Sequence, residues 1–500
     1  MPGTTALPAP TTFFEDAFGF SPIPHKSADD DSKLAKERRD MSFYDRTRDM
    51  FSLDGNTLSS KANGKKFEIG PFETSSLDRL RKSCMDGSLT AADEFMMAGD
   101  LSFENIIEDI MDLYEDDENA GAVFQASSLF NCLETVSGYK PEDGVEKYGG
   151  QPFQGPVSAC CCPAALVFRN YFVNGVGQAG DNQLDCLKEV GELVENDTKK
   201  HWEMRHGFCA PFREGSISEL SSSIAADARV ADAVAGKVQI GLHWDTEVWT
   251  GTHRVCQALC SALPVALYKS AASSSDWRGF AQTVLDSVYD ATLTAAVILA
   301  QQRGERVKVF LTDVGGGHLG NRRNWIAEAI NKALIAHRKE PLDVFMVHHA
   351  EVPLAYDDLE RGRKHCEVRR MKKTSSHHAQ MLHENFANFR RNSVLAAGDP
   401  EGETLKRLGE LFSHYDLNGD GLIDQRELEA LLSHVDETFF TPAVIKKLMH
   451  DADADGDDCI HYTEFVAWIF DDRDLTHLFL DAANRVAHLH RQTSQRSQFR

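Results

Sequence analysis

The stretch from Val307 to His349 reads VKVFLTDVGGGHLGNRRNWIAEAINKALIAHRKEPLDVFMVHH, and its reading decides the fold. VKVFLTDV (307–314) is rich in β-branched and apolar residues, which predicts a strand. Gly315, Gly316, Gly317 and Gly320 follow, then a helical pattern over 321–338 and a second β-rich run over 342–349. Strand, helix, strand is a βαβ unit, so the expected class is a layered α/β domain. Working outward, AVFQAS (122–127) and KVQIGLHW (237–244) read as further strands, and 280–302 as a long helix.

The glycines between strand and helix suit a pyrophosphate. They let backbone N–H groups approach closely, and the helix N-terminus adds unpaired donors and positive dipole character. No Lys-Ser/Thr follows them, which excludes an ATPase phosphate loop. Gly315, Gly317 and Gly320 satisfy G-x-G-x-x-G, but only one further strand is expected before a polar connector. A dinucleotide-binding domain opens with that turn and then needs several βα units, so position argues against one.

The strongest chemical signal lies near the carboxyl end. Asp416, Asn418, Asp420, Gly421, Leu422, Asp424 and Glu427 fall at positions 1, 3, 5, 6, 7, 9 and 12 of a twelve-residue loop. A cation of calcium's size takes about seven oxygens at roughly 2.3 to 2.6 Å, and alternate side chains of a coiled loop converge to supply them. The loop resembles an EF-hand, and the resemblance implies that Leu422 offers its carbonyl, that Asp424 acts through a water and that Glu427 closes the sphere with both carboxylate oxygens. Leu405, Leu408, Leu411 and Phe412 before it, and Leu428, Leu431 and Leu432 after it, form apolar helical stripes.

A second loop carries Asp453, Asp455, Asp457, the Cys459 carbonyl, His461 and Glu464, offset by 37 residues from the first. That offset fits a pair joined by a short β bridge at Ile423 and Ile460. Asp458 stands where glycine is usual and His461 is a poor partner for a hard cation, so the second loop is expected to bind more weakly. Sensor-type affinity, roughly 10⁻⁷ to 10⁻⁵ M, is the range the resemblance implies.

The 500 residues and 42% apolar content suffice for several cored domains. The expected layout is a disordered tail over 1–35, a helical region over 36–118, the α/β domain over 119–355, a basic linker over 356–400, the EF-hand pair over 401–480 and a tail over 481–500. In the helical region, FENIIEDIMDLYEDDE (103–118) places Ile106, Ile107, Ile110, Met111 and Leu113 on one stripe. A net charge of −24 disfavours nonspecific binding to nucleic acid or an anionic membrane. No run approaches the 18 to 20 or so uninterrupted apolar residues of a membrane span, and the N-terminus lacks a secretion signal, so a soluble cytoplasmic protein is expected. Eleven cysteines, including Cys160, Cys161 and Cys162 in a row, then read as free thiols.

Several segments together resemble a macrodomain-like family related to poly(ADP-ribose) glycohydrolase and the ADP-ribosyl hydrolases. They are FQASSLFNCLE (124–134), QGP (154–156), FRNYF (168–172), GQAGDNQLDCL (177–187), VQIGLHWDTEV (238–248), QALCSALPVALY (257–268) and VFLTDVGGGHLGN (309–321). Macrodomains carry their phosphate loop late, between the penultimate strand and a helix leading to the last, which matches the position of Gly315 to Gly320. The resemblance covers roughly 120–350 and implies a three-layer macrodomain-like fold, ADP-ribose binding and hydrolysis of ADP-ribosyl linkages. It places Asn131 beside the distal ribose, Asp143 and Gly144 in a first glycine-containing loop, and Gly315, Gly316, Gly317 and Gly320 around the phosphates.

The glycohydrolase pattern of glycines followed by a Glu-Glu pair is absent, so the acid must come from elsewhere. Candidate carboxylates are Glu134, Asp143, Asp181, Asp185, Asp245 and Glu247, with Asp181 and Asp185 expected one helical turn apart. His243 and Trp244 end a strand, where core packing is the expected role; Cys256 and Cys260 are expected to be buried, one helical turn apart.

The linker reverses the overall charge, with nine Lys or Arg against Glu367 and Glu384 between 361 and 391. Leu382, Phe386 and Phe389 beside Arg390 and Arg391 make 380–395 a candidate target helix for an opened EF-hand pair. Two function classes follow: a calcium-regulated protein that binds or hydrolyses ADP-ribosyl groups, acting on ADP-ribose or ADP-ribosylated protein, or a non-enzymatic calcium sensor or buffer with a scaffold α/β domain.

Overall fold

The computed structural model describes residues 13–21, 41–86, 100–134, 140–146, 148, 154–349, 352, 353, 355, 356 and 359, together with 422, 423, 460 and 461. The chain divides into two units, 1–386 and 387–500.

In the first unit the chain order is helix α1 (Phe13–Phe18), α2 (Phe43–Asp49), strands β1 (Phe51–Asp54), β2 (Thr57–Ser60), β3 (Lys66–Glu68) and β4 (Phe72–Ser76), α3 (Leu77–Asp86), β5 (Ser102–Ile107), α4 (Ile110–Glu115) and β6 (Val123–Ser127). Then come α5 (Gln154–Cys161), α6 (Pro163–Tyr171), α7 (Lys188–Leu193), α8 (Asn196–Lys199), β7 (Trp202–Arg205), β8 (Phe208–Pro211), α9 (Ser216–Ala226), α10 (Ala228–Lys237), β9 (Gln239–Glu247) and β10 (Arg254–Cys260). The unit continues through α11 (Ser274–Arg303), β11 (Val307–Leu311), α12 (Arg323–Ala336) and β12 (Leu342–His348).

Seven strands form the main sheet in the order β4-β9-β10-β6-β11-β12-β5. From β10 to β5 every neighbouring pair is parallel, and β9 runs antiparallel to both β10 and β4. Side chains alternate between two apolar layers. Val123, Val309 and Val344 enter the layer of α3, α9, α10, α11 and α12, while Phe124, Phe310 and Phe345 enter the layer of α1, α4, α5 and α6. Register places these three phenylalanines side by side. They extend a stack from Tyr114 with centroid separations of 3.9, 4.7 and 5.2 Å. Offset stacking of rings adds to the burial they share. Phe310→Ala is expected to destabilise the unit by about 3 to 5 kcal/mol in urea unfolding; a loss of under 1 kcal/mol would refute the stack as a core element.

The helix expected over 280–302 begins earlier, at Ser274. Ser273 caps it, with its own N–H donating to the Asp276 carboxylate at 2.8 Å, and Gly304 ends it at φ +68°. α11 is long and apolar enough to cross a bilayer by length and composition, but its apolar window is 83% buried inside the unit, the position of a core helix.

The expected strands fall at β6, β9, β11 and β12, and the expected βαβ unit is β11, α12 and β12 with parallel strands. The region before it differs. The expected helical 36–118 holds a three-stranded antiparallel sheet, β1-β2-β3, and contributes both edge strands, β4 and β5, to the main sheet. Ile106 and Ile107 lie on β5, paired with Val347 and His348, and only Ile110 to Glu115 is α-helical, with a 3-10 turn at Asp117–Asn119 after it. The Asp109 carboxylate accepts from the Met111 N–H and starts that helix, so the stripe is two elements whose apolar spacings coincide. Pairing to β12 outweighs the local helical pattern.

The expected disordered tail also contains structure. Phe13, Phe14, Ala17 and Phe18 are buried in α1, and Phe18 stands 4.9 Å from Phe51 and 5.4 Å from Phe67 between ring centroids. Apart from residues 13–21, the 1–35 segment lies outside the described residues.

In the second unit, β13 (Leu422–Ile423) and β14 (Ile460–His461) pair antiparallel.

Candidate functional sites

The second unit's described residues are those that join the two calcium loops. Leu422 faces His461 and Ile423 faces Ile460. These are positions 7 and 8 of the first loop against 9 and 8 of the second, so the bridge couples the loops at their midpoints as expected. This pairing fits residues that hold calcium, because it places the Leu422 carbonyl's loop in the register that the offset of the two ligand sets requires. Asp416, Asn418, Asp420, Asp424, Glu427, Asp453, Asp455, Asp457, Cys459 and Glu464 lie outside the described residues, as does the 380–395 segment.

In the first unit a cavity of about 260 Å³ lies beyond the carboxyl ends of β6 and β11. The chain passes from β10, on one side of β6, through α11 to β11 on the other. Where successive connections diverge in this way, an open α/β sheet leaves a crevice for ligands. Ser127, Ser128 and Glu134 line the cavity from the β6 side, Gln154 from α5, and Thr312, Asp313, Gly315, Gly317 and His318 from the β11 side.

The glycine loop is held by its base. Val314 N–H donates to the Tyr289 hydroxyl at 3.0 Å, and that hydroxyl donates to the Thr312 carbonyl at 2.7 Å. Gly315, at φ +79°, occupies a left-handed conformation and packs against Ala262 and Asn321. Among the described residues, no chain atom accepts from the Gly315 or Gly317 N–H. Arg322, the N-cap of α12, makes no side-chain capping bond, and Arg322 and Arg323 are exposed. Free amides, an uncapped helix start and two arginines suit an anion.

Glu134 is the buried carboxyl group at the opposite wall. Arg169 Nη2 lies 3.2 Å from Glu134 Oε1, and neither side chain is exposed. Arg169 also donates through Nε to the Cys132 carbonyl at 2.9 Å, and its Nη1 faces His243 Nδ1 and Gln257 Oε1, each at 3.5 Å. Burial pushes the Glu134 carboxyl up to about 7, with Arg169 pulling the other way. Burial and the same guanidinium hold His243 well below the usual histidine range, so its ring is neutral. His243 is thus a core residue, as expected, whereas Trp244 is half-buried with Nε1 donating to Glu73 at 2.8 Å.

The other expected site residues are not brought to the cavity. Asp181 is exposed in a turn bridged from Ala179 to Asn182, and Asp185 lies in the irregular segment after it, its carboxylate accepting from the Leu187 N–H at 2.8 Å. No helix joins them; the expected pairing one turn apart is corrected, because each carboxylate sits in irregular chain. Asn131 is buried, donating to Gln183 at 3.1 Å and accepting from the Leu133 N–H. Asp143 accepts from the Lys140 N–H at 2.9 Å, and Gly144 lies against Glu146 and Tyr171. Gly316 lies over the Asp313 carboxylate and Gly320 packs on Ala266. Asp245 pairs with Arg254 at 3.1 Å, and Glu247 accepts from the Glu68 N–H at 2.9 Å.

Sequence reading missed Asp313 and Arg169. Asp313 had a signal, since it stands at the carboxyl end of a strand directly before the glycines. Arg169 had none, because nothing in the local pattern distinguishes a buried arginine. The described cysteines are free, and burial pushes the Cys160, Cys161 and Cys162 thiols up, which leaves them inert. Cys256 and Cys260 are buried as expected, but on strand β10 rather than on a helical turn.

Residues 405–470 match the EF-hand domain pair family. A 68-residue stretch is 40% identical to polcalcin Cup a 4 of Hesperocyparis arizonica, which is 13% of this chain and 38% of that protein. No solved structure matches the chain. Ligand spacing, the β13–β14 register and the family match agree: the chain carries an EF-hand pair at 405–470 and binds calcium through it.

Proposed function

We propose that this is a calcium-regulated cytoplasmic protein whose α/β unit binds ADP-ribose or a related nucleotide and hydrolyses ADP-ribosyl linkages. One observation carries the reading: the glycine loop and Glu134 meet in one cavity at the carboxyl ends of the parallel strands. The diphosphate sits at the Gly315 and Gly317 amides, near the Arg323 guanidinium that acts on Asp313. Glu134, with its carboxyl raised towards neutrality, is the general acid. In the step assigned to it, water oxygen bonds to the anomeric carbon and the bond from that carbon to the modified side chain breaks. Glu134 gives its proton to the leaving atom and regains one from the water. Of the carboxylates proposed from sequence, this leaves Glu134 in the catalytic role and Asp181 and Asp185 outside it.

Glu134→Gln keeps a neutral group of the same shape and an acceptor for Arg169. Its turnover of ADP-ribosylated protein is expected to fall about 10²- to 10⁴-fold, with ADP-ribose affinity within a few-fold of the parent. Unchanged turnover would remove Glu134 from the chemistry.

The buried Glu134–Arg169 pair also favours a second reading, in which the carboxylate is purely structural and the α/β unit is a scaffold for a calcium sensor or buffer. ADP-ribose binding without turnover in calcium or in chelator would select it.

A further inference from the structure

A second carboxylate shares the cavity with Glu134. Asp313 stands just past the end of β11 and lines the cavity together with Gly315 and Gly317. The wholly buried Tyr356 donates its hydroxyl to Asp313 Oδ1 at 2.7 Å. Tyr356 is itself anchored, since its carbonyl accepts from Asn105 Nδ2 of β5 at 3.3 Å and its ring lies 5.3 Å from that of His348 on β12. Asp313 Oδ2 accepts from no group among the described residues and is left to the cavity. Gly316 crosses so close above the carboxylate that even a methyl group there would strike it, which confines the side chain further.

The two carboxyl groups sit in unlike surroundings. Glu134 has no exposed side-chain surface, and burial raises it to about 7. Burial raises Asp313 as well, but the Tyr356 hydroxyl and the Arg323 guanidinium hold it down. The Tyr289 hydroxyl also faces Asp313; burial keeps both phenols protonated, so Tyr356 is the donor. The His318 ring, which lines the same cavity, is kept neutral by burial. Two carboxyl groups of this kind divide the work of hydrolysis, the one held protonated serving as acid and the one held ionised as base. At the Gly315 and Gly317 amides an ionised carboxylate repels the diphosphate placed there above, so its use lies elsewhere than in binding.

We propose that Asp313 is the general base of the cavity: Oδ2 takes a proton from the attacking water while Glu134 protonates the leaving atom, and Tyr356 is the positioning residue that turns Oδ2 towards that water. The water oxygen bonds to the anomeric carbon, and the bond from that carbon to the modified side chain breaks. The proton taken by Asp313 then passes through solvent to Glu134, which restores both groups. The products are ADP-ribose and the unmodified side chain. This rests on the hydrolysis proposed above and supplies the second half of its acid–base chemistry.

The test uses the full chain in calcium, with protein ADP-ribosylated on glutamate and on arginine side chains as substrates and ADP-ribose as ligand. Asp313→Asn keeps an acceptor for Tyr356 and removes the base. Its kcat is expected to fall about 10²- to 10⁴-fold, while ADP-ribose binds no more weakly than to the parent. Turnover by the parent falls on the acid side as Asp313 is protonated and on the alkaline side as Glu134 loses its proton. Asp313→Asn abolishes the acid-side fall, and Tyr356→Phe, which removes a bond that holds Asp313 down, moves that fall to higher pH. Unchanged kcat in Asp313→Asn, a loss of affinity that matches its loss of turnover, or an acid side that stays in place in folded Tyr356→Phe overturns the proposal. A parent that hydrolyses neither substrate overturns the hydrolysis reading and this proposal together; a parent that hydrolyses one while Asp313→Asn does so equally well overturns this proposal alone.

Discussion

Glu427→Gln is expected to remove the stronger of two calcium isotherms. The substitution keeps the size of the residue at position 12 but replaces the carboxylate expected to close the coordination sphere with a neutral amide. Charge count and bidentate closure set affinity in such loops. The first site is expected to move from roughly 10⁻⁷ to 10⁻⁵ M into the range of about 10⁻⁴ to 10⁻³ M. Because β13 and β14 join the loops at Ile423 and Ile460, the second, weaker site is expected to lose affinity as well. Calorimetry on the full chain reads both effects, and an unchanged stronger isotherm would place calcium elsewhere.

Arg169→Ala strikes the most buried charge in the α/β unit. It leaves Glu134 in a site with no exposed side-chain surface, and removing one member of such a pair costs about 3 to 5 kcal/mol. It also strands the Cys132 carbonyl, which accepts from Arg169 Nε at 2.9 Å. The sign of the pH dependence follows from Glu134. Its folded value, about 7, lies above the ordinary 4.5, so its contribution is fully present below 4.5 and is lost as pH rises towards 7. Without the guanidinium the carboxyl moves further up, and the loss extends to higher pH. Urea unfolding at several pH values is expected to show the variant weakest in alkaline buffer. A double replacement, Arg169→Met with Glu134→Leu, recovers most of the stability. If the single variant unfolds like the parent across this range, the pair is not a closed buried unit.

The βαβ unit was legible because three independent signals coincide there: β-branched runs, a glycine turn and an amphipathic helix, all of ordinary length. The calcium loops were legible for a related reason, since coordination chemistry dictates residue type at fixed local spacing. The stretch 103–118 misled because β5 owes its state to β12, more than 230 positions away, while its apolar residues happen also to fit a helix. The α1 phenylalanines misled because proline, serine and threonine around them mask a short aromatic cluster whose partners, Phe51 and Phe67, come from a separate sheet. Of the cavity, the glycine loop and Glu134 were both expected as parts of one ligand site, but the arrangement that joins them was not legible. It depends on β6 and β11 lying side by side, and strand order in a seven-stranded sheet is a long-range property. Asp181 and Asp185 looked coupled only under a helical reading that irregular chain does not support.

Under the proposed function, calcium at the EF-hand pair changes how tightly the α/β unit holds ADP-ribose. Calorimetric titration of ADP-ribose into the full chain, once with saturating calcium and once with chelator, tests this. Binding is expected, with affinities that differ between the two conditions by about 5-fold or more. No binding in either condition, or identical affinity in both, would overturn the calcium-regulated reading.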